Sequence, residues 1–272
     1  MKCKNWPVGV CSWSLRTDVA GVAQAMKQCG LTHVHLGIRA AVEDTSGKVL
    51  KTIQARDWTI TSTMIDFPQE DYSTLETIKV TGGVVPDAPW QQNHNLFLGA
   101  TIATAKLGVK YLSMHAGFID ETDKAHAEKI YARIRDLANI AADNGVILLL
   151  ETGQEAAKEL RHFLETLDHR SVGVNFDPAN MILYDKGDPI EAVRTLAPWI
   201  RHLHVKDATR TKQPGTWGAE VPWGDGEVGI RRFLDVLEEV GFDGAMAIER
   251  EAGDNRLGDI KLAVERLKAA CK

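Results

Sequence analysis

The chain has only four cysteines in 272 residues, Cys3, Cys11, Cys29 and Cys271, and none forms a C-x-x-C pair. A chain this long can bury a full core without being stapled, so the expectation is reduced thiols in a cytosol. No apolar run approaches the ~18 residues that suggest a membrane span. The opening MKCKNWPVGV shows neither the apolar core nor the cleavage pattern of a signal peptide. A cytoplasmic protein with no membrane partner is therefore expected. A basic surplus is missing as well: Lys and Arg number 32 against 37 Asp and Glu, a net charge of −5, which argues against a nucleic-acid partner. The first apolar run leads into Cys-Ser-Trp-Ser-Leu-Arg, with no glycine-rich phosphate loop of the kind that announces a doubly wound sheet. No linker or compositional break divides the chain, so residues 1–272 are expected to form one domain.

What is present is a repeated pattern. Short apolar runs of strand length fall at Val8–Cys11, Thr32–Leu36, Thr59–Ile65, Tyr111–His115, Val146–Glu151, Gly173–Asp177, His202–Val205 and Ala245–Glu249. Between them lie amphipathic stretches of helix length: Asp18–Gln28, Asn95–Lys106, Ala125–Ala142, Glu155–Leu167, Glu191–Ala197, Ile230–Val240 and Asp259–Ala270, with Lys48–Ala55 a weaker one. Several end on a glycine that runs into the next strand, as at Gly30, Gly108, Gly145 and Gly241, where the left-handed conformation carries no Cβ penalty. Asp18 and Thr122 stand where N-caps belong. Alternating strands and helices imply a parallel sheet covered by helices. Eight such units, about thirty residues apart in a chain near the ~250 residues typical of the fold, predict an α/β architecture, a single (β/α)8 barrel.

Two connections are long, Phe67–Asn93 and Thr209–Glu227, and both follow strands. Long loops in a compact domain are usually functional, and these belong at the C-terminal mouth. Trp90, Trp217 and Trp223 lie in them and are expected either to form a lid or to pin the loops. Trp13, just past the first strand, is expected to stack on a ligand or to pack in the core.

The last five strands each finish on an ionisable or metal-binding side chain: His115, Glu151, Asp177, His204 and Glu249. Strand ends converge on one mouth in a barrel, and alternation puts Asn175 with Asp177, His202 and His204 with Lys206, and Glu249 with Glu251 on one face of their respective strands, so that the polar set points inward. Carboxylates gathered in one cavity repel each other and resist ionisation unless a cation joins them. Glu151, Asp177 and Glu249 offer hard oxygens and His204 a nitrogen. That set suits one divalent ion, Mn²⁺, Mg²⁺, Co²⁺ or Zn²⁺. Lys206 is expected to neutralise a substrate oxyanion or to pair with Asp207 or another carboxylate. The Arg231-Arg232 run is expected on a solvated face.

The motifs Val-Asn-Phe-Asp-Pro-Ala-Asn (174–180), His-Leu-His-Val-Lys-Asp (202–207), Pro-Trp-Gly-Asp-Gly-Glu-Val (222–228) and Ile-Glu-Arg-Glu (248–251) resemble the sugar phosphate isomerase/epimerase family of xylose-isomerase-like barrels over essentially the whole chain. The resemblance implies a metal held by Glu151, Asp177, His204 and Glu249, with Glu151 and Glu249 exchanging protons with substrate carbon. It implies substrate contacts from Arg210, six residues after the metal His, and from His115. The chain departs from that pattern at Asn180, where such enzymes often carry a His and which is itself expected to contact substrate, and at Ala157, where they carry a second Glu. The implied activity is isomerisation or epimerisation of a carbohydrate or polyol-derived substrate through an enediolate. The runner-up is a dehydratase of the inosose or dehydroshikimate type. An apurinic-type endonuclease and a non-catalytic sugar-binding barrel rank below, and a homo-oligomer is left open.

Overall fold

The computed structural model describes residues 1–271; Lys272, the last residue of the expected domain, lies outside the described residues. Eight parallel strands form a closed barrel: β1 (Trp6–Cys11), β2 (His33–Gly37), β3 (Thr59–Met64), β4 (Tyr111–Met114), β5 (Ile147–Glu151), β6 (Val172–Phe176), β7 (Ile200–Val205) and β8 (Ala245–Ile248). Closure comes from β1, which pairs with β2 through Gly9↔His33 and Cys11↔His35 and with β8 through Met246↔Val8 and Ile248↔Val10. The expected strands appear within a residue or two of where the apolar runs place them. His115, Asp177 and Glu249 each sit one residue beyond their strand, because ladder pairing ends where the backbone turns outward at the mouth.

The longer outer helices pack on the barrel through buried side chains that recur at helical spacing. Ile230–Glu239 buries Phe233, Leu234, Val236 and Leu237, and Ala157–Leu167 buries Leu160, Phe163, Leu164 and Leu167. Burying one such large apolar side chain contributes about 1.5–3 kcal/mol. Gly30 and its three counterparts take φ between +66° and +70° as expected. Asp18 caps its helix by accepting from Gly21 N (2.8 Å). Thr122 does not cap the next one: Asp123 does, accepting from His126 N, while Thr122 donates to Asp120. A carboxylate one residue closer to the first turn outcompetes the hydroxyl.

Three short helices, Arg39–Glu43, Leu75–Thr81 and Pro178–Leu183, lie outside the expected set. Each has two turns or fewer, too short to show an apolar period. The thiol expectation also needs correction: Cys3 and Cys271 form a disulfide with Cα atoms 5.3 Å apart, whereas Cys11 and Cys29 are free and buried. Barrel closure brings the two chain ends together, a proximity invisible across a separation of 268 residues. No helix among the described residues is long and apolar enough to cross a membrane.

The two long mouth loops are tied down by buried or half-buried carboxylates. Glu70 accepts from Phe67 N (3.2 Å) and Gly83 N (2.9 Å). Gly83, at φ +55°, lies so close to Ala116 that a Cβ would sit 2.2 Å from its carbonyl carbon. Asp207 accepts from the backbone N–H groups of Ala208, Gly224, Gly226 and Val228 at 2.9–3.1 Å. A Cβ on Gly226 would meet Asp207 Oδ1 at 2.2 Å, so the Gly-Asp-Gly turn has to stay bare to wrap this carboxylate. This second loop carries a two-stranded ribbon, Asp207–Thr209 with Ala219–Val221.

Candidate metal centre

Glu151, Asp177, His204 and Glu249 converge at the C-terminal mouth. One ligand atom from each can be chosen so that all four lie within 4.8 Å of one another. None of the four residues is more than 5% exposed. The His204 Nδ1 atom stands 3.4 Å from Glu151 Oε1, 3.4 Å from Asp177 Oδ2 and 3.2 Å from Glu249 Oε2.

Local sequence explains each placement. β5 reads Ile-Leu-Leu-Leu-Glu, apolar until its last residue reaches the mouth. Asp177 is the N-cap of Pro178–Leu183. Its Oδ1 accepts from Ala179 N (2.8 Å) and Asn180 N (3.0 Å), with Pro178 pre-set at the first helical position. One carboxylate oxygen thus holds the helix and leaves Oδ2 for the site. Glu249 is positioned by Trp13, whose Nε1 donates to its Oε1 (2.6 Å), and Glu151 by Asn180 Nδ2, which donates to its Oε1 (3.1 Å).

Burial works against ionisation throughout, and the cations decide the outcome. Glu249 is nonetheless held well below the usual carboxyl range by His204 and Lys206. Burial also opposes ionisation of Glu151, but His115 and His204 bring its carboxyl down. Burial pushes Asp177 up, with Lys206 only partly offsetting it. His204 would lose its proton to burial, but Cys11, Glu249, Glu151 and Asp177 raise it well above the ordinary imidazole range. Lys206 is raised likewise: Glu249, Glu251 and Asp177 overcome its desolvation.

These residues fit a divalent cation on an observation beyond donor chemistry. Glu249 Oε2 lies 2.8 Å from Lys206 Nζ and 3.2 Å from His204 Nδ1, yet neither contact has hydrogen-bond geometry, and this buried oxygen has no directed partner. Cys11, His35 and His204 form a second tight group below. Burial pushes the Cys11 thiol up to about 12, which makes it a poor metal ligand.

The remaining expected residues divide. Lys206 lies in the site, 2.8 Å from both Glu249 and Glu251 and 3.6 Å from Asp177. Asp207 is not its partner, being occupied by the loop backbone. Asn180 is buried against Glu151 and Thr152 O. His115 Nε2 is 4.0 Å from Glu151 Oε2. Burial alone would strip its proton, and the field of Glu151, Glu70 and Glu251 instead raises its pKa. Arg210 is engaged by Asp185, Gly187 O and Glu227, none of them a member of the ligand set. Trp13 presents its ring edge to His35 and His204 and its N–H to Glu249. Of the three loop tryptophans, Trp223 is buried edge-on against Phe233 and Trp90 opens a helix under Arg133; both pin structure. Trp217 meets Tyr184 at 4.7 Å between ring centroids. Arg232 pairs with Asp188 on an exposed face.

His35 and Tyr72 escape the sequence reading. His35 points into the barrel from a position that strand alternation could have found, as it finds Asn175 beside Asp177. Tyr72, whose ring stands 5.7 Å from His115, reaches the mouth only because the Phe67–Asn93 loop folds back.

The profile of the xylose isomerase-like TIM barrel family matches residues 23–270. A crystal structure of a xylose isomerase domain protein from Planctomyces limnophilus superposes with a TM-score of 0.86 at 29% identity, covering 99% of this chain and 98% of that one. A xylose isomerase-like TIM barrel protein from Mycobacterium smegmatis in complex with magnesium gives 0.74 at 19% identity, with 100% and 98% covered. D-psicose 3-epimerase with D-tagatose from Clostridium cellulolyticum H10 gives 0.73 at 16%, with 98% and 99% covered. At those identities the last two show the fold. Among curated relatives, an inosose dehydratase of Clostridium botulinum is 22% identical over 148 residues, 48% of this chain and 49% of that protein. The curated relatives are matched over roughly a third to a half of their own length. Barrel, site and profile lead to one conclusion: the chain belongs to the xylose isomerase-like TIM barrel family.

Proposed function

We propose that this protein is a divalent-metal-dependent isomerase or epimerase of a small carbohydrate, working by proton transfer at a carbon next to a carbonyl. The observation that carries the reading is the buried gathering of three carboxylates and one imidazole at a single point of the mouth. A divalent cation bound there supplies Lewis-acid polarisation of the substrate carbonyl. Glu151, Asp177, His204 and Glu249 would hold it.

The proton chemistry belongs to the side chains. Glu151 Oε1 and Glu249 Oε2 lie 3.4 Å and 3.2 Å from His204 Nδ1, and neighbouring cations lower the pKa of both carboxyls. In each turnover one enters as the carboxylate and takes the proton from carbon, while the other, having taken a proton from solvent, delivers it to the enediolate; the two end with their protonation states exchanged, and a centre is inverted or the carbonyl moved. Trp13 and Asn180 keep the two carboxylates aimed. The Lys206 ammonium, set between Glu249 and Glu251, counters negative charge developing on substrate oxygen.

A second reading, a dehydratase, is favoured by His115. Its raised pKa and its position beside Glu151 make it a proton donor for a departing hydroxyl, and an inosose dehydratase is among the relatives. Product analysis for lost water separates the two readings.

The test is solvent deuterium uptake across a panel of ketoses, inososes and keto-sugars, followed by NMR with Mn²⁺ or Mg²⁺ present. Wild-type protein is expected to exchange the proton next to the carbonyl, and Glu249→Gln to be slower by about 10²–10⁴-fold. Wild-type exchange in the variant would remove Glu249 from the mechanism.

A further inference from the structure

Below the four ligands the barrel interior holds a chain of polar contacts among residues with no exposed surface. His35 Nδ1 is 3.0 Å from His204 Nε2. The other ring nitrogen of His35 lies 2.8 Å from Ser113 Oγ and 3.3 Å from Thr63 O. Ser113 Oγ in turn donates to the same carbonyl at 2.9 Å. His35, Thr63, Ser113 and His204 are all 0% exposed, and the contacts among them are direct.

One placement of the protons along this chain leaves His204 Nδ1 available to a cation. A backbone carbonyl only accepts. Thr63 O takes the Ser113 hydroxyl proton, so toward His35 the serine oxygen is an acceptor as well. In that placement His35 Nε2 carries the hydrogen, shared between Ser113 Oγ and Thr63 O, and Nδ1 carries a lone pair. Across the 3.0 Å contact, His204 Nε2 donates to His35 Nδ1. The Asn175 amide is 3.1 Å from the same His204 nitrogen. Its Nδ2 also reaches Glu151 Oε2 (3.3 Å), while its Oδ1 faces His202 Nδ1 (2.9 Å); an amide NH2 only donates, so a hydrogen on His204 Nε2 has His35 Nδ1 as its acceptor. The consequence appears at the opposite edge of the His204 ring. With a hydrogen held at Nε2, the nitrogen facing Glu151, Asp177 and Glu249 is the one that can release its proton to a cation and ligate.

We infer that His35 is a positioning residue for the metal centre: its Nδ1 accepts from His204 Nε2, fixing the ring's rotation and presenting Nδ1 to the cation, with Ser113 and Thr63 holding His35 in the tautomer that can accept. The inference rests on the metal-site reading of the proposed function. The contact crosses the barrel, from β2 to β7, and joins residues 169 positions apart. Metal-bound imidazoles commonly donate their second N–H to an acceptor of this kind, and losing it typically weakens metal binding by ~10–100-fold.

The experiment is calorimetric titration of Mn²⁺ into purified wild-type protein and the variants His35→Leu, His35→Asn and Ser113→Ala, with urea denaturation of each to establish that it is folded. His35→Leu is expected to weaken Mn²⁺ binding by ~10–100-fold. His35→Asn, whose Oδ1 takes the place of Nδ1 as an acceptor, should remain within about threefold of wild type, a rescue that mere packing would not produce. Ser113→Ala, which loosens the tautomer lock, should fall between them. A folded His35→Leu that binds as tightly as wild type overturns the inference, and so does His35→Asn binding as weakly as His35→Leu. If His35→Leu does not fold, the order of the other two decides: Ser113→Ala binding as tightly as His35→Asn overturns it. Wild-type protein that takes up no Mn²⁺ sinks the metal-site reading itself, which no result on the variants alone does.

Discussion

The two halves of the barrel finish differently at the mouth. β5 to β8 deliver Glu151, Asp177, His204 and Glu249. β1 to β3 end on Cys11, Gly37 and Met64, side chains that carry no charge, and β4 is followed by His115. Yet the first half is not idle. Trp13 reaches Glu249, His35 reaches His204, and His115 stands beside Glu151. The later half supplies the carboxylates, and the earlier half supplies donors that help set where they point. A cluster of buried carboxylates is unstable in position as well as in energy, so it needs rigid donors from elements that carry no charge of their own.

Breaking the charged half should have the larger effect. Asp177→Asn keeps a side-chain oxygen to cap Pro178–Leu183 but removes one anionic ligand. Mn²⁺ affinity should fall by about 100-fold or more, while the melting temperature without added metal changes by only a few degrees. Calorimetry and thermal denaturation on one sample distinguish this from simple unfolding; equal metal affinity would take Asp177 out of the site.

Glu155 ties the halves together: its Oε1 accepts from Ile119 N in the loop after β4 (3.0 Å). Burial pushes its carboxyl from 4.5 up to about 7. Between those values the folded protein binds more protons than the unfolded chain, so this group's contribution to stability declines as pH rises from about 4.5 to 7 and is flat above. Glu155→Gln should therefore gain on wild type by about 2 kcal/mol between pH 5 and pH 8, measured by urea denaturation. A difference independent of pH would show that Glu155 ionises normally.

The supporting half gives the smallest expected change. Trp13→Phe retains the ring and deletes the N–H to Glu249 Oε1. Hydrogen bonds to charged groups contribute about 1.5–3 kcal/mol, so kcat for deuterium exchange should drop about tenfold or somewhat more, with KM little altered. A change confined to KM would mean that Trp13 contacts substrate and does not steer the carboxylate.

Much of the charged half was legible from sequence because its signal is local. An apolar strand ending in Glu, Asp or His announces both its direction and its tip, and the glycine-ended helices mark where each strand begins. The supporting half was not, because a contact such as His35 to His204 depends on register across four intervening strands. Trp223 and Trp90 could be placed in mouth loops from sequence, but whether they covered the site or anchored the loop depended on where Phe233 and Arg133 came to lie. Arg210 shows the converse: a residue at the expected spacing whose guanidinium is engaged by Asp185 and Glu227.

The order of apolar runs and amphipathic stretches by itself determined an eight-stranded barrel and the four residues at one end of it, since periodicity and strand direction are properties of short segments. Which ring nitrogen of His204 faces the carboxylates, how Lys206 sits between Glu249 and Glu251, and that Cys3 meets Cys271 were decided only when the barrel closed. Each depends on the distance between groups far apart in the chain, and closure of the sheet sets that distance.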